Sequence, residues 1–76
     1  MNNPRRKALK KIKDQIEDLK MMIEEVLEEE QEAFDNIPEN LEGSEKYEKA
    51  EESISYIEEA ISNLEDAIEN IEYSVE

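Results

Sequence analysis

The apolar residues of this chain form two series that mirror each other about a point near Asn40. Each series alternates steps of three and four residues, which is the heptad spacing of a coiled-coil seam. The numbers of opposing residues add to 80 in six pairs: Leu9 with Ile71, Ile12 with Ile68, Ile16 with Leu64, Leu19 with Ile61, Ile23 with Ile57 and Val26 with Ile54. Two helices folded back on each other require such pairs. The sequence therefore predicts an all-α fold, an antiparallel two-helix coiled-coil hairpin.

Residues that favour helix ends bracket the two series. Asn3 suits the N-cap of the first helix, and Pro4 suits its first helical position. Pro38 prevents simple continuation of that helix. We expect a single domain over residues 1–76, with the first helix over about residues 4–34, the connection over 35–43 and the second helix over about 44–75.

The connection is predicted to contain one short helical turn and a small apolar plug. Residues 36–39 have the pattern of a capping box that opens the turn, Gly43 closes the turn, and Ser44 caps the second helix. The plug is formed by apolar residues on both sides of the turn, with Leu27 next to them: Phe34, Ile37, Leu41 and Tyr47.

The net charge of −14 is large and unevenly distributed. Residues 1–20 carry seven Lys/Arg and three Asp/Glu, residues 21–42 carry nine acids and no base, and residues 43–76 carry eleven acids and two Lys. In the mirror register, bases of the first helix face acids of the second in three pairs: Arg6 with Glu72, Lys13 with Glu65 and Lys20 with Glu58. Exposed pairs contribute about 0.2–1 kcal/mol each, so these are expected to select the orientation more than to stabilise the hairpin.

One side of the second helix carries no charge. We call its members the uncharged strip: Ser53, Tyr56, Ala60, Asn63, Ala67, Asn70 and Ser74. The cores of protein interfaces are depleted of charge, so this strip predicts a contact surface for a partner. The other interpretation is that the small residues only let the two helices of the hairpin approach closely.

A hairpin of this size has little core of its own. Below about 70–80 residues a single core rarely supplies more than about 3–5 kcal/mol without a disulfide, a metal or a second subunit. The chain has no Cys and no His, which removes the first two of these. We therefore expect a homo-oligomer, in which two hairpins form a four-helix bundle through the uncharged strip.

The residue set is poorly suited to catalysis. Without His or Cys there is no imidazole base and no thiol nucleophile, and a single Gly cannot form a glycine-rich phosphate loop. The carboxylates of residues 28–32 point in different directions on a helix, which does not make a specific Ca²⁺ site. We expect no enzymatic activity, no cofactor, no metal site and no small-molecule substrate.

The charge balance and the start of the chain predict the setting in which the protein works. A strongly acidic chain repels nucleic acid and anionic membranes and favours basic partners. The first residues do not have the pattern of a signal peptide, and no apolar run approaches the roughly 20 residues of a membrane span. We expect a cytoplasmic protein that binds another protein and neither nucleic acid nor a membrane directly.

The segment 28–41, EEEQEAFDNIPENL, precedes a helix that begins Ser-Glu-Lys-x-Glu-x-Ala-Glu-Glu and repeats Glu-Glu-Ala-Ile or Glu-Asp-Ala-Ile units. Over most of its length the chain resembles short acidic helical-hairpin proteins of Gram-positive bacteria and of their phages and prophages. The AFDNIP turn is the distinctive part of this resemblance. Because that group has no settled activity, the resemblance implies only a setting, a phage-encoded accessory protein in the cytoplasm of a bacterial host.

Two functions remain open from the sequence. The first is a non-enzymatic protein–protein interaction module that self-associates or lays the uncharged strip on a partner helix. The second is a phage-type inhibitor whose carboxylates mimic nucleic acid and block a host nucleic-acid-binding or defence protein. Such an inhibitor would use the residues that we call the acidic face, although an ordinary solvated surface would carry them too: Glu48, Glu51, Glu52, Glu58, Glu59, Glu65, Asp66, Glu69 and Glu72.

Overall fold

The computed structural model describes all residues from Met1 to Glu76 and contains two long helices packed against each other. Helix α1 spans Asn3–Asp35 and helix α2 spans Glu45–Ser74, with a 3₁₀ turn at Glu39–Leu41 between them. There is no strand. The Cα positions extend over 59 × 15 × 13 Å. The predicted antiparallel helical hairpin is confirmed.

Side-chain caps define where each helix begins. The backbone N–H of Arg5 donates to Asn2 Oδ1 over 2.9 Å, so the N-cap of α1 is Asn2 and not the predicted Asn3. The N-cap of α2 is Ser44, as predicted, because its Oγ accepts from the backbone N–H of Tyr47 over 3.2 Å. Each cap satisfies one of the backbone donors that a helix start leaves free.

The connection turns the chain with one glycine and one proline. The 3₁₀ turn follows Pro38 without any side-chain cap, so the capping box predicted for residues 36–39 is wrong. Asn36 instead lies at the C-cap of α1. Gly43 has a φ of 83°, a left-handed conformation that a residue with a side chain rarely adopts.

The tip of the hairpin, where the connection lies, is closed by two aromatic rings. The ring centroids of Phe34 and Tyr47 lie 4.7 Å apart at an interplanar angle of 34°, which confirms the centre of the predicted plug. Leu41 is 45% exposed and takes little part in it. Partial burial raises the pKa of the Tyr47 hydroxyl. The nearby carboxylates of Glu42, Glu51 and Asp35 raise this pKa further.

The contact between the helices buries no side chain completely. Only Ile54 and Ile61 are buried, at 9% and 8% exposure. The other apolar residues that face the opposite helix are half-buried: Leu9, Ile16, Ile23, Leu27, Ile57, Leu64, Ile68 and Ile71. In a two-helix hairpin each helix has one neighbour, so the flanks of every contact residue remain close to water.

Three residues of α1 that were predicted in the seam lie outside it. Ile12, Leu19 and Val26 are 45%, 54% and 51% exposed, so their assignment to the seam is wrong. The residue that follows each of them in the sequence is partly buried instead. Helix α1 is therefore rotated about its own axis by part of the roughly 100° that separates consecutive residues in a helix.

The rotation brings one leucine and two lysine stems against α2. Leu27 lines the same depression as Ile61, and Lys20 lines one with Glu65 and Glu69. A lysine can pack its aliphatic stem on an apolar surface while its ammonium stays in water, so this arrangement buries no charge. The apolar stripe of α1 is wider than the line along which it touches one helix, and the remainder of the stripe stays exposed.

The rotation also changes the charge pairs between the helices. Lys13 Nζ lies 3.8 Å from Glu72 Oε1, one heptad further along α2 than predicted. None of the predicted pairs is formed: Arg6 with Glu72, Lys13 with Glu65 and Lys20 with Glu58. That part of the register prediction is wrong, because it assumed that the seam of α1 pointed straight at α2.

Candidate protein interface

One face of the hairpin carries an open apolar groove. It has a volume of about 400 Å³ and is lined only by apolar side chains: Leu19, Met22, Ile23, Val26, Ile57 and Leu64. Leu19, Met22 and Val26 are each more than half exposed. Ile12, one heptad before Leu19, continues the same side of α1 towards the N-terminus. We call this side of the molecule the apolar face.

The uncharged strip of α2 borders the apolar face. Ala60 and Ala67 each follow a groove residue, Ile57 or Leu64, by three positions, which places them on the adjoining flank of the helix. Ala67 is half-buried, and the other six members of the strip are exposed, including Tyr56 at 64%. The strip is thus the outer edge of a wider uncharged surface that α1 completes.

The contribution of α1 to this surface was missed in the sequence, because its exposed apolar residues were assigned to the seam. A signal for it exists in the heptad pattern. The first three positions that flank the seam on this side of α1 are also uncharged, namely Ala8, Gln15 and Met22, whereas the fourth is Glu29. An apolar stripe that spans three heptad positions is wider than a two-helix contact needs.

The opposite flank of the hairpin is rich in carboxylates. All nine residues of the acidic face are exposed. Two of them have side-chain partners: the Tyr73 hydroxyl donates to Glu69 Oε1 over 3.2 Å, and Glu72 pairs with Lys13. No group of three or more acidic side chains is arranged to hold a metal ion.

The chain exposes more surface than a compact monomer of its mass. Its accessible surface is 6006 Å², whereas the scaling for folded monomers gives roughly 4,800 Å² at 8.9 kDa. The excess of roughly 1,200 Å² is comparable with the ~800 Å² that each partner loses in an interface of standard size. The excess accessible surface of the hairpin is therefore large enough to accommodate one such interface.

Neither helix includes a segment with the length and apolar character needed to cross a bilayer. The fold and the surface together define a helical hairpin with one apolar face and one acidic face. Comparison with protein-family models, with curated proteins and with solved structures found no match.

Proposed function

We propose that this protein is a non-enzymatic protein–protein interaction module that dimerises into a four-helix bundle through its apolar face. The observation that supports the proposal most is the groove lined by Leu19, Met22, Val26 and their neighbours on α2, which no polar side chain interrupts. Monomeric proteins rarely expose large contiguous apolar patches, and those that do commonly use them to bind a partner.

The small core of the hairpin gives a second reason for dimerisation. With only two of its 76 residues buried, and neither of them completely, an isolated hairpin gains little from burial, at about 25 cal/mol per Å² of apolar surface. Placing a second pair of helices on the apolar face would bury the exposed halves of Ile12, Leu19, Met22 and Val26. A four-helix bundle is the usual architecture that provides such a core.

The setting that we propose is the cytoplasm of a bacterial host, with the protein as a phage-encoded accessory factor. This part of the proposal rests on the resemblance carried by residues 28–41 and not on the geometry. It is compatible with a strongly acidic surface, which favours basic protein partners and disfavours direct contact with nucleic acid or anionic membranes.

Adding negative charge to the uncharged strip should prevent dimerisation. The double substitution Ala60→Glu and Ala67→Glu places two carboxylates per subunit at the contact, where each desolvated, unpaired group costs about 1–3 kcal/mol. We expect the dimer dissociation constant to rise by about 100-fold or more, since 1.4 kcal/mol corresponds to a factor of ten. Light scattering over a range of protein concentrations measures the effect.

The control adds the same charge on the other flank of α2. Ser55→Glu with Ser62→Glu changes the net charge equally at two exposed positions, and we expect it to weaken the dimer far less. For all variants the dimer should tighten as salt rises, because two subunits of charge −14 repel each other and salt screens that repulsion. A wild-type protein that stays monomeric, or a dimer equally sensitive to both pairs, would contradict the proposal.

A second candidate function, the nucleic-acid-mimicking inhibitor, is favoured by one observation, the exposure of all nine carboxylates of the acidic face. At low salt, the free hairpin should elute host nucleic-acid-binding proteins from DNA-cellulose. The triple substitution Glu52→Gln, Glu59→Gln and Asp66→Asn removes three exposed charges at heptad spacing and should reduce this elution. Elution no greater than that caused by salt of equal ionic strength would exclude the inhibitor function.

A further inference from the structure

The apolar face is symmetric about its own middle. On α1, Ile12 and Val26 each lie seven residues from Leu19; on α2, Ile57 and Ile71 each lie seven residues from Leu64. Leu19 and Leu64 are the groove residues of α1 and α2 that lie furthest from the tip, so they lie at about the same height along the hairpin. A surface with this symmetry matches a second copy of itself under a two-fold rotation.

Two such rotations bring apolar faces together. If the axis runs along the hairpin, the two tips lie together, and α1 of each copy packs on α2 of the other. If the axis crosses the hairpin at Leu19 and Leu64, the tips lie at opposite ends, and α1 packs on α1 while α2 packs on α2. Both arrangements pair apolar residues with apolar residues, so burial alone does not choose between them.

The charges of α1 favour the arrangement in which the tips lie at opposite ends. Residues 3–13 carry six Lys/Arg and no acid, and residues 25–35 carry six acids and no base. A two-fold axis at Leu19 places each of these segments directly against the other in the second copy. The opposing charges lie on neighbouring helices about 8–10 Å apart, a separation at which they attract one another.

In the same arrangement, the repulsion between the two α2 helices is weaker than the attraction between the two α1 helices. Residues 52–59 carry three acids and no base, and residues 69–76, which would lie against them, also carry three acids. With the tips together, the six acids of residues 25–35 would instead face the acidic first half of α2. Only the weaker attraction between residues 3–13 and Glu72 and Glu76 would offset that repulsion.

We propose that the occupant of the apolar face is a second copy of this chain, oriented with its tip at the opposite end and related by a two-fold axis at Leu19 and Leu64. In this dimer Ile12 packs on Val26 of the second copy, Ile57 on its Ile71, and Ala60 on its Ala67. This orientation rests on the dimerisation proposed above, and it specifies how the two copies are arranged in the dimer.

The dimensions of the hairpin suit this contact. A face of 59 by 15 Å has a projected area of roughly 900 Å², close to the ~800 Å² that each partner buries in a stable interface. Full overlap of the two copies requires that neither hairpin be displaced along the other. An axis at Leu19 and Leu64 comes close to this requirement, since Leu19 is the midpoint of α1 and Leu64 lies four to five residues beyond the midpoint of α2.

Cysteine crosslinking distinguishes the two orientations, and the chain contains no cysteine that would interfere. The Leu19→Cys variant should link to itself, because Leu19 lies on the proposed axis. A mixture of Ile12→Cys chains with Val26→Cys chains should yield linked pairs of the two different chains, and neither variant should link to itself. A disulfide needs Cα atoms within about 7 Å, so only directly facing positions react.

The alternative results are equally specific. With the tips together, Leu19→Cys would link only to Leu64→Cys of another chain, which would overturn the orientation while the dimer stands. A monomer by light scattering with no crosslink at any position would overturn both proposals and assign the apolar face to a different partner helix. High salt should reduce the yield of Leu19→Cys self-linking relative to links between Leu19→Cys and Leu64→Cys, because the charges that select the orientation are screened.

Discussion

Replacing Ile61 with Asp should unfold the hairpin. Ile61 is the most buried residue, at 8% exposure, and lies midway along α2 against Leu27. A carboxylate at this position loses its hydration without gaining a partner, at a cost of several kcal/mol. Because a core of this size supplies only about 3–5 kcal/mol in total, the helical signal in far-UV circular dichroism should largely disappear.

Ser62→Asp is the matched control for this prediction. It introduces the same side chain one residue later, at an exposed position on the same turn of α2. Any loss of stability that is due to helix propensity or to added charge therefore appears in both variants. Only Ile61→Asp disturbs the contact with α1. Native circular dichroism and an unchanged urea midpoint for Ile61→Asp would refute the packing of α1 on this side of α2.

Replacing Leu19 with Glu should abolish dimerisation while leaving the hairpin intact in the monomer. Leu19 is 54% exposed in the single chain, so the substitution costs little there. In the proposed dimer, however, two copies of the carboxylate meet at the axis without a cation between them. We expect the dissociation constant to rise by at least about 100-fold, equivalent to about 3 kcal/mol, as measured by sedimentation equilibrium.

Met21→Glu provides the comparison for Leu19→Glu. Met21 is also apolar and is 62% exposed, but it lies beside Glu17 and Lys20 on the carboxylate-rich flank. The loss of an exposed apolar side chain and the gain of one negative charge are thus reproduced without any change in the apolar face. If Met21→Glu weakened association as much as Leu19→Glu does, the contact would lie elsewhere on the hairpin.

The two faces allow both candidate functions to coexist in one molecule. A dimer formed through the apolar face leaves the acidic flanks of both copies in solvent. Glu52, Glu59 and Asp66, which lie on α2 away from α1, would remain accessible in such a dimer. Self-association would then display the carboxylates twice, so dimer formation and elution of proteins from DNA-cellulose should be measured on the same variants.

The sequence alone determined the helices, their antiparallel contact and the cap at Ser44. These features depend on local chemistry and on a repeat of apolar residues that continues over four heptads of α2. Mirror pairing needs only the spacing along each helix and a turn between them, and Pro38 and Gly43 mark that turn. The contact between Phe34 and Tyr47 at the tip could also be predicted from the sequence, because both residues lie close to the connection.

Only the tertiary structure decided how far α1 turns about its own axis. The pattern treats Ile12, Leu19 and Val26 as seam residues. The sequence does not show that Leu27 and the stems of Lys13 and Lys20 contact α2 in their place. Together with Ile16, Ile23 and Leu27, the three exposed apolar residues form a stripe wider than contact with one helix can cover. Packing on α2 selects which part of that stripe is buried, and the part left exposed, which is the apolar face, is the surface that we propose binds a second copy.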